Sequence, residues 1–573
     1  YGISTVGATF SSTSNFVIQG NYIGLDKNGD AVTGATGTGL ILGAVSGTLI
    51  GGASAGQGNV ISGNPGVGLS FSGVSGQNVQ VYGNIIGLKP DGETAAGNAT
   101  GINAATNNSP TGSLLIGGAS AGQGNIISGN TGNGISLTTS SMTTNTTAIK
   151  GNKIGVSASG AARGNGANGI SSTSVTGLIV GGIGAGEGNT IANNVSNGVT
   201  VDSASSRVIV RGNSIVANGK VGIDLRGSAN APDANDLPSA LDADTGGNSL
   251  QNFPQRTTLT KCDASTEQAT YLWSAANTTY TVDFYANPSG RDATGYGEGE
   301  QYVSSTTVTT SAAGYASITP PAGVTNLSMT ATDPNGNTSE FSNERPVSIS
   351  GCTVTAKSTS DTTPSLAGTT TLTGFVAGAI PTTAALTING QNVNASIASP
   401  NWILADNTLT VLPAGSYNVD VSVTDPVSKL STSYTATNAL TIDTTSPTVT
   451  VNQSSSQPDP ANVDSASFDI VFSEDVSTLA VADVTLAGTS GTITTLTKVD
   501  NKTYTAIVTG MTDGDTATMT LAAAKVTDAA GNGNVASTST DNQVKYDTTK
   551  PTVTINQAAG QADPTNVDSV AFS

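Results

Sequence analysis

The chain has 573 residues, of which 36% are hydrophobic and 10% charged, with 71 glycines, no histidine and a formal net charge of −19. That length implies several domains, and a remainder rich in Ser, Thr, Asn and Gly suits an all-β extracellular protein better than a helical one. The 20 basic residues are scattered, which leaves no electrostatic footprint for nucleic acid or an anionic membrane and makes cations the expected partners. Without histidine, Ser-His-Asp triads, His-based acid–base catalysis and His-ligated zinc are excluded, and two cysteines cannot build a thiolate metal cluster.

No run of about 18 apolar residues is present, nor a basic flank leading into an apolar stretch and cleavage site, so neither a membrane span nor a signal peptide is read. The chain opens and stops inside repeats. Export and anchoring segments are therefore expected to lie outside it.

The first 256 residues are organised by repetition. Gly-Asn-x-Ile appears at Gly20–Ile23, Gly83–Ile86, Gly151–Ile154 and Gly212–Ile215. A second phrase runs from Ile50-Gly51-Gly52 to Gly58-Asn59, from Ile116-Gly117-Gly118 to Gly124-Asn125, and from Val180-Gly181-Gly182 to Gly188-Asn189. A third follows as Ile61-Ser62-Gly63-Asn64, Ile127-Ser128-Gly129-Asn130 and the degenerate Ile191-Ala192-Asn193-Asn194. A shared period near 64 residues holding three β-type phrases predicts a parallel solenoid, divided into three coils of about 21 residues each. Asn21, Asn84, Asn152 and Asn213 are expected to ladder from coil to coil through their amides.

Cys262 and Cys352 stand 90 residues apart and bracket the next module, 257–350. A disulfide between them would stabilise by at most about 4–5 kcal/mol in the chain-entropy picture; two buried thiols would look the same, and both readings stay open. Residues 351–444 alternate as a further sandwich. At the far end, the stretch from Asp443 to Gln453 returns as Asp547 to Gln557, an offset of 104 residues that suits one immunoglobulin-sized sandwich over 445–547, with 548–573 opening another copy.

With their Ile-Gly-Gly, Gly-x-Gly-Asn and Ile-Ser-Gly-Asn phrases, the first 256 residues resemble the right-handed parallel β-helix proteins of bacterial surfaces. The ending fits too, through Gly222-Ile223-Asp224-Leu225, Leu241–Gly246 and Leu250–Pro254. So does the module after it, through Tyr280–Asn287, Gly295–Gly299 and Ala331–Ser342. From about 445 the chain resembles the bacterial immunoglobulin-like repeats of large adhesins, in Val471–Val476 and Thr527–Asn534. The fold implied is all-β: a right-handed parallel β-helix followed by tandem Ig-like sandwiches.

Calcium is the expected cofactor, since closely spaced carboxylate and amide oxygens in turns suit a hard cation. The candidate ligands are Asp333, Asn335, Asn337 and Glu340; Asp528, Asn532 and Asn534; and Asp233, Asp236, Asp242 and Asp244, with Asp459, Asp464 and Glu474 as a further set. Solvated turns are the alternative. Catalysis would need a carboxylate pair or an Arg beside an acid on one coil face; the only local candidates are Arg211, Asp224 and Arg226, near Arg207 and Lys220. Aligning neighbouring coils sets Asp202 opposite Arg226 and Asp224 opposite Thr200.

The leading expectation is a non-catalytic extracellular or cell-surface protein, its β-helix a repetitive binding rod for a polysaccharide or other surface ligand and its Ig-like modules spacers. The alternatives are an extracellular polysaccharide lyase or glycoside hydrolase, and a pure scaffold or stalk.

Overall fold

The computed structural model describes residues 8–10, 15–33, 37–43, 45–71, 78–106, 113–139, 147–225, 232–238, 240–290 and 297–573. The chain divides into two compact units, 1–350 with 371–381 and 424–432, and 351–370 with 382–423 and 433–573.

In the first unit, three parallel sheets of eight, seven and seven strands are each built from one strand per coil. A representative coil contributes Val67–Phe71, Val79–Tyr82 and Ile85–Ile86, and the next contributes Thr100–Thr106, Leu114–Gly117 and Ile126–Ile127. Aligned residues of the first sheet, such as Leu69, Ile102, Ile135, Ile170, Val199 and Ile223, step by 24 to 35 residues. The 64-residue period is therefore two coils of about 32, not three of about 21.

The reason is that two of the phrases are one structural position. All seven strands of the third sheet enter on Gly-Asn-x-Ile, because Gly58-Asn59-Val60-Ile61, Gly124-Asn125-Ile126-Ile127 and Gly188-Asn189-Thr190-Ile191 alternate with the four copies recognised first. The Ile of each copy points inward and is at most 2% exposed, and burying each side chain contributes roughly 1.5–3 kcal/mol. The glycines are needed for two reasons in turn. Gly20, Gly83, Gly151 and Gly212 have φ of 63 to 67°, the left-handed region, whereas a Cβ at Gly58, Gly124 or Gly188 would run into the carbonyl oxygen of Gly83, Gly151 or Gly212.

Asparagines close the turns. The Nδ2 of each residue in the series Asn21, Asn59, Asn84, Asn125, Asn152 and Asn189 donates to Oδ1 of the next, ending on Asn213, at 2.8 to 3.0 Å. A second ladder joins Asn64, Asn98, Asn130, Asn165, Asn194 and Asn218 at 2.8 to 2.9 Å. The four expected ladder residues are thus every second rung of the first.

A β-sandwich follows within the same unit. One sheet orders Tyr315–Ser317, Thr266–Trp273, Gln255–Thr260 and Glu344–Val354; the other orders Gln301–Thr309, Thr279–Ala286 and Ser328–Thr332. The sandwich seals the last coil. Ile215 and Gly299 exchange backbone hydrogen bonds at 2.8 and 2.9 Å, Val210 N donates to Thr338 Oγ1 at 3.0 Å, and Leu225 N donates to Glu340 Oε1 at 3.0 Å. Each of the three sheets ends on one of these contacts, which covers strand edges that would otherwise recruit another chain.

In the second unit, one sheet runs Leu366–Thr373, Asn401–Leu404, Gln391–Ala398, Thr383–Ile388, Gly415–Thr424, Ser431–Ile442, Lys357–Thr359 around a fully buried Trp402. The next module packs Val449–Gln453, Ser465–Phe472, Thr503–Thr509 and Thr492–Lys498 against Val484–Ala487, Thr516–Leu521 and Gln543–Lys545, with Val451, Phe468, Ile470, Val508 and Met519 in its core. Val553, Ile555 and Phe572, which repeat Val449, Val451 and Phe468, are 82%, 70% and 66% exposed.

Candidate metal centres

Asp236, Asp242 and Asp244 present one carboxylate oxygen each within 4.8 Å of one another. They lie on the irregular segment between the last coil and the sandwich, held there by Asn252, whose Oδ1 accepts from Asp236 N at 2.9 Å and whose own N–H donates to Asp242 Oδ1 at 3.1 Å. Asp242 Oδ2 also accepts from Gln251 Nε2 at 3.0 Å and from the Ser274 hydroxyl. Among the described residues, Asp244 Oδ1 is buried and has no hydrogen-bond partner. Burial, then the neighbouring carboxylates, pushes Asp242 and Asp244 each up to about 6. Asp233, expected in the same set, is not one of the three: its N–H donates to Glu340 Oε2 at 2.8 Å, while its charge still adds to the raising of Asp244.

A second trio in the second unit, Asp443, Glu474 and Asp528, likewise brings one carboxylate oxygen each within 4.8 Å of the others. Asp528 sits in a turn tied by its own carboxylate, Oδ1 accepting from Ala530 N and Asn532 N at 2.9 and 2.8 Å. Asn532 Nδ2 donates both to Asp528 Oδ2 and to the backbone oxygen of Asp443, each at 2.8 Å, and so draws Asp443 to the turn. Burial and the charges of Asp528 and Asp443 raise the Glu474 carboxyl. Asn534 faces away, its Oδ1 accepting from Lys525 N and Val526 N. Glu474 thus groups with Asp528 rather than with Asp459, which accepts from Lys545 N at 2.8 Å, or with Asp464. Asp443 was missed, although its recurrence as Asp547 in the repeated phrase was a visible signal.

The Asp333–Asn337 turn is likewise closed on itself, Asp333 accepting from the N–H groups of Asn335 and Asn337 at 2.9 and 2.8 Å. Asn337 Oδ1 takes Arg207 N at 2.7 Å. Glu340 is not part of that oxygen set; its two oxygens bind Leu225 N and Asp233 N, and burial lifts its carboxyl to about 8.

Arg211 forms a two-pronged ion pair with Asp283, Nε to Oδ2 at 2.7 Å and Nη2 to Oδ1 at 2.6 Å, and the Asp283 side chain is fully buried. Asp224 is buried, lies opposite Thr200 as aligned, and accepts from Asn197 Nδ2 at 2.5 Å. Asp202 Oδ1 accepts from Ser174 N at 2.9 Å and the Ser205 hydroxyl at 2.6 Å. Arg226 lies outside the described residues, as do Gly295 and Tyr296. Cys262 and Cys352 are both disulfide-bonded. Among the described residues no helix is long and apolar enough to cross a membrane.

Residues 443–546 match the family of bacterial Ig-like domains. No curated protein matches the chain. Among solved structures, a tetra-tandem repeat in the extending region of a large adhesion protein is 19% identical over 53% of this chain and 77% of its own, with a TM-score of 0.18. The I9–I11 tandem of titin is 11% identical over 51% and 96%, with a TM-score of 0.18. Extracellular domains 3–5 of Drosophila OTK are 10% identical over 50% and 95%, with a TM-score of 0.16.

Proposed function

We propose that the chain is a non-catalytic structural and adhesive protein of the bacterial cell exterior, its parallel coils a stiff rod with repeating outward columns and its Ig-like modules spacers. The observation that carries this reading is the continuous amide ladder from Asn21 to Asn213 joined in one chain to a bacterial Ig-like module. A rod of recurring coils offers many weak contacts to a repeating polymer, so that avidity replaces a deep pocket. Calcium in the Asp236/Asp242/Asp244 and Asp443/Glu474/Asp528 clusters fits the same role, because a cation there offsets the mutual repulsion of three carboxylates and tightens the segments that carry them. A lyase or hydrolase has less support. Arg211 is committed to Asp283 and Asp224 is sealed from solvent.

The test is incubation of the whole chain with acidic and neutral polysaccharides, in calcium or with a chelator, following both retention and chain cleavage. Retention without cleavage is expected. Turnover abolished by Arg211→Ala or Asp224→Ala would replace this reading with an enzyme, and neither retention nor turnover would leave a scaffold.

A further inference from the structure

Two rows of loops stand up beside the outer face of the third sheet and enclose a trough that follows the rod. One row is the turn preceding each Gly-Asn-x-Ile in alternate coils, residues 53–57, 119–123 and 183–187. These turns stack so closely that a Cβ at Gly122 would strike the Ala53 oxygen, and one at Gly186 the Ala119 oxygen. Each is pinned by its last side chain, Gln57 and Gln123 accepting from Ser54 N and Ser120 N at 3.1 and 3.0 Å, and Glu187 from Gly184 N at 3.1 Å. The other row is 26–30, 89–94 and 157–161. Its members touch through Lys89 and Asp30 at 2.6 Å, Ala158 N and Gly92 O at 3.0 Å, and Ser159 N and Glu93 Oε1 at 2.8 Å.

Between the rows runs the outward column of the third sheet, Tyr22, Val60, Ile85, Ile126, Lys153, Thr190 and Ser214, in register from strand to strand. Neighbouring strands are about 4.8 Å apart. Cavities of about 600 and 400 Å³ adjoin over this floor, sharing Gly122, Gly124 and Ile126, and each reaches the far row, at Pro90 and at Ala158 respectively.

Three features define what fits. Every strand between the first and last coils is paired on both sides, so the trough offers no backbone edge for an added peptide strand, and recognition must come through side chains and wall polar groups. Among the described residues no formally charged side chain lines the larger cavity. Lys153 lines the smaller one and gives its Nζ to the Ala158 oxygen, while Lys89 pairs with Asp30 and Lys150 with Glu187, so the stretch of the trough from Tyr22 to Ile126 suits an uncharged partner. The floor is apolar from Tyr22 to Ile126, while the walls expose Ser54, Ser120 and the peptide groups of small-residue turns. A ribbon apolar on its faces and hydroxylated along its edges matches that cross-section. Such a ribbon is a polysaccharide whose rings are linked and substituted equatorially, leaving axial C–H bonds on both faces.

We propose that this trough holds a single chain of a neutral, equatorially linked glycan of the β-1,4 type, ring faces on the Tyr22, Val60, Ile85 and Ile126 column and hydroxyls toward the two loop rows. The proposal rests on the binding-rod reading above and specifies its ligand and face.

The experiment uses the full chain on amorphous cellulose and chitin, with dextran and polygalacturonate as axially linked and anionic comparators. Ile85→Thr combined with Ile126→Lys removes two of the floor's three aliphatic side chains, leaving Val60, with residues that Thr190 and Lys153 already place in this column, so the coils accommodate them. Ala121→Glu is a second variant at an exposed wall position. Expected are retention on cellulose or chitin and not on the comparators, and about tenfold weaker retention for both variants with unchanged melting. Equal retention of wild type and both variants, or preference for polygalacturonate or dextran, overturns the trough while leaving the rod reading in place. Retention on none of the four overturns both.

Discussion

Asn84 Oδ1 accepts two hydrogen bonds from Asn59, 25 residues earlier, one from its backbone N–H at 3.0 Å and one from its Nδ2 at 2.9 Å. Every rung repeats this arrangement, so removing one residue takes hydrogen bonds from both neighbouring coils. Asn125→Ala withdraws the acceptor used by Asn84 N and Nδ2 and the donor used by Val81 O and Asn152 Oδ1. Asn84 Nδ2 keeps Ile50 O and Tyr82 O, and Asn152 Oδ1 keeps the backbone N–H of residue 125. Asn84 N is therefore the group left stranded, and at about 1–3 kcal/mol for an unmatched buried group a loss of that size is expected in urea unfolding of the first unit. A loss below about 1 kcal/mol would mean that the ladder is incidental to the rod.

The ladder also marks how far the sequence could be read. Parallel coils, three strands per coil and asparagine stacking were legible, because the same short phrases recur. The coil length was not. The repeated Ile-Gly-Gly attached Gly58-Asn59 to the phrase before it and hid its identity with Gly20-Asn21. The carboxylate clusters were half legible for a similar reason: Asp236, Asp242 and Asp244 lie within nine residues of one another, whereas Glu474 and Asp528 stand 31 and 85 residues beyond Asp443 and meet it only in the fold. In sequence Arg211 groups with Asp224 and Arg226 as a catalytic candidate because its partner, Asp283, is 72 residues downstream.

That pair makes the second prediction. Burial raises the Asp283 carboxyl against the pull of Arg211, and the pairing with Asp283 raises Arg211 in turn. Arg211→Met leaves a fully buried carboxylate with its guanidinium gone, an arrangement that costs about 3–5 kcal/mol. The double variant Arg211→Met/Asp283→Leu should recover most of it. A double variant as unstable as the single would show that packing, not the unpaired charge, sets the cost.

The pH dependence follows from carboxyls raised by burial. Glu340 stands at about 8 against an ordinary 4.5, facing Asp233 and Asp224, and Asp242 and Asp244 at about 6 against 3.8, facing Asp236. A raised folded-state value means that the protonated form is favoured by folding, so this stability is complete near pH 4 and lost as pH rises through about 6 and then about 8. Carboxyls held low, such as Asp91 at about 2, change nothing above pH 4.5. In a chelator, the first unit should therefore melt higher at pH 5 than at pH 8.5, and Glu340→Gln should flatten the upper part of that slope. A melting temperature that climbs from pH 5 to 8.5 would contradict these assignments.

Calcium should act most strongly where the carboxylates repel. Binding to the folded chain alone stabilises by RT ln(1 + [L]/Kd), about 2.7 kcal/mol at a hundredfold excess over Kd. In calorimetry at pH 7.5, added calcium is expected to raise two transitions, one removed by Asp242→Asn with Asp244→Asn and the other by Glu474→Gln. Because Asp242 and Asp244 must lose protons near pH 6 before they ligate, the first increment should shrink at pH 5. Magnesium, which demands a tighter octahedral shell and keeps its waters, should reproduce little of either shift. Calcium increments that survive both sets of substitutions would place the ion elsewhere, and their absence in the wild type would leave the clusters as acidic turns held together by Asn252, Gln251 and Asn532 alone.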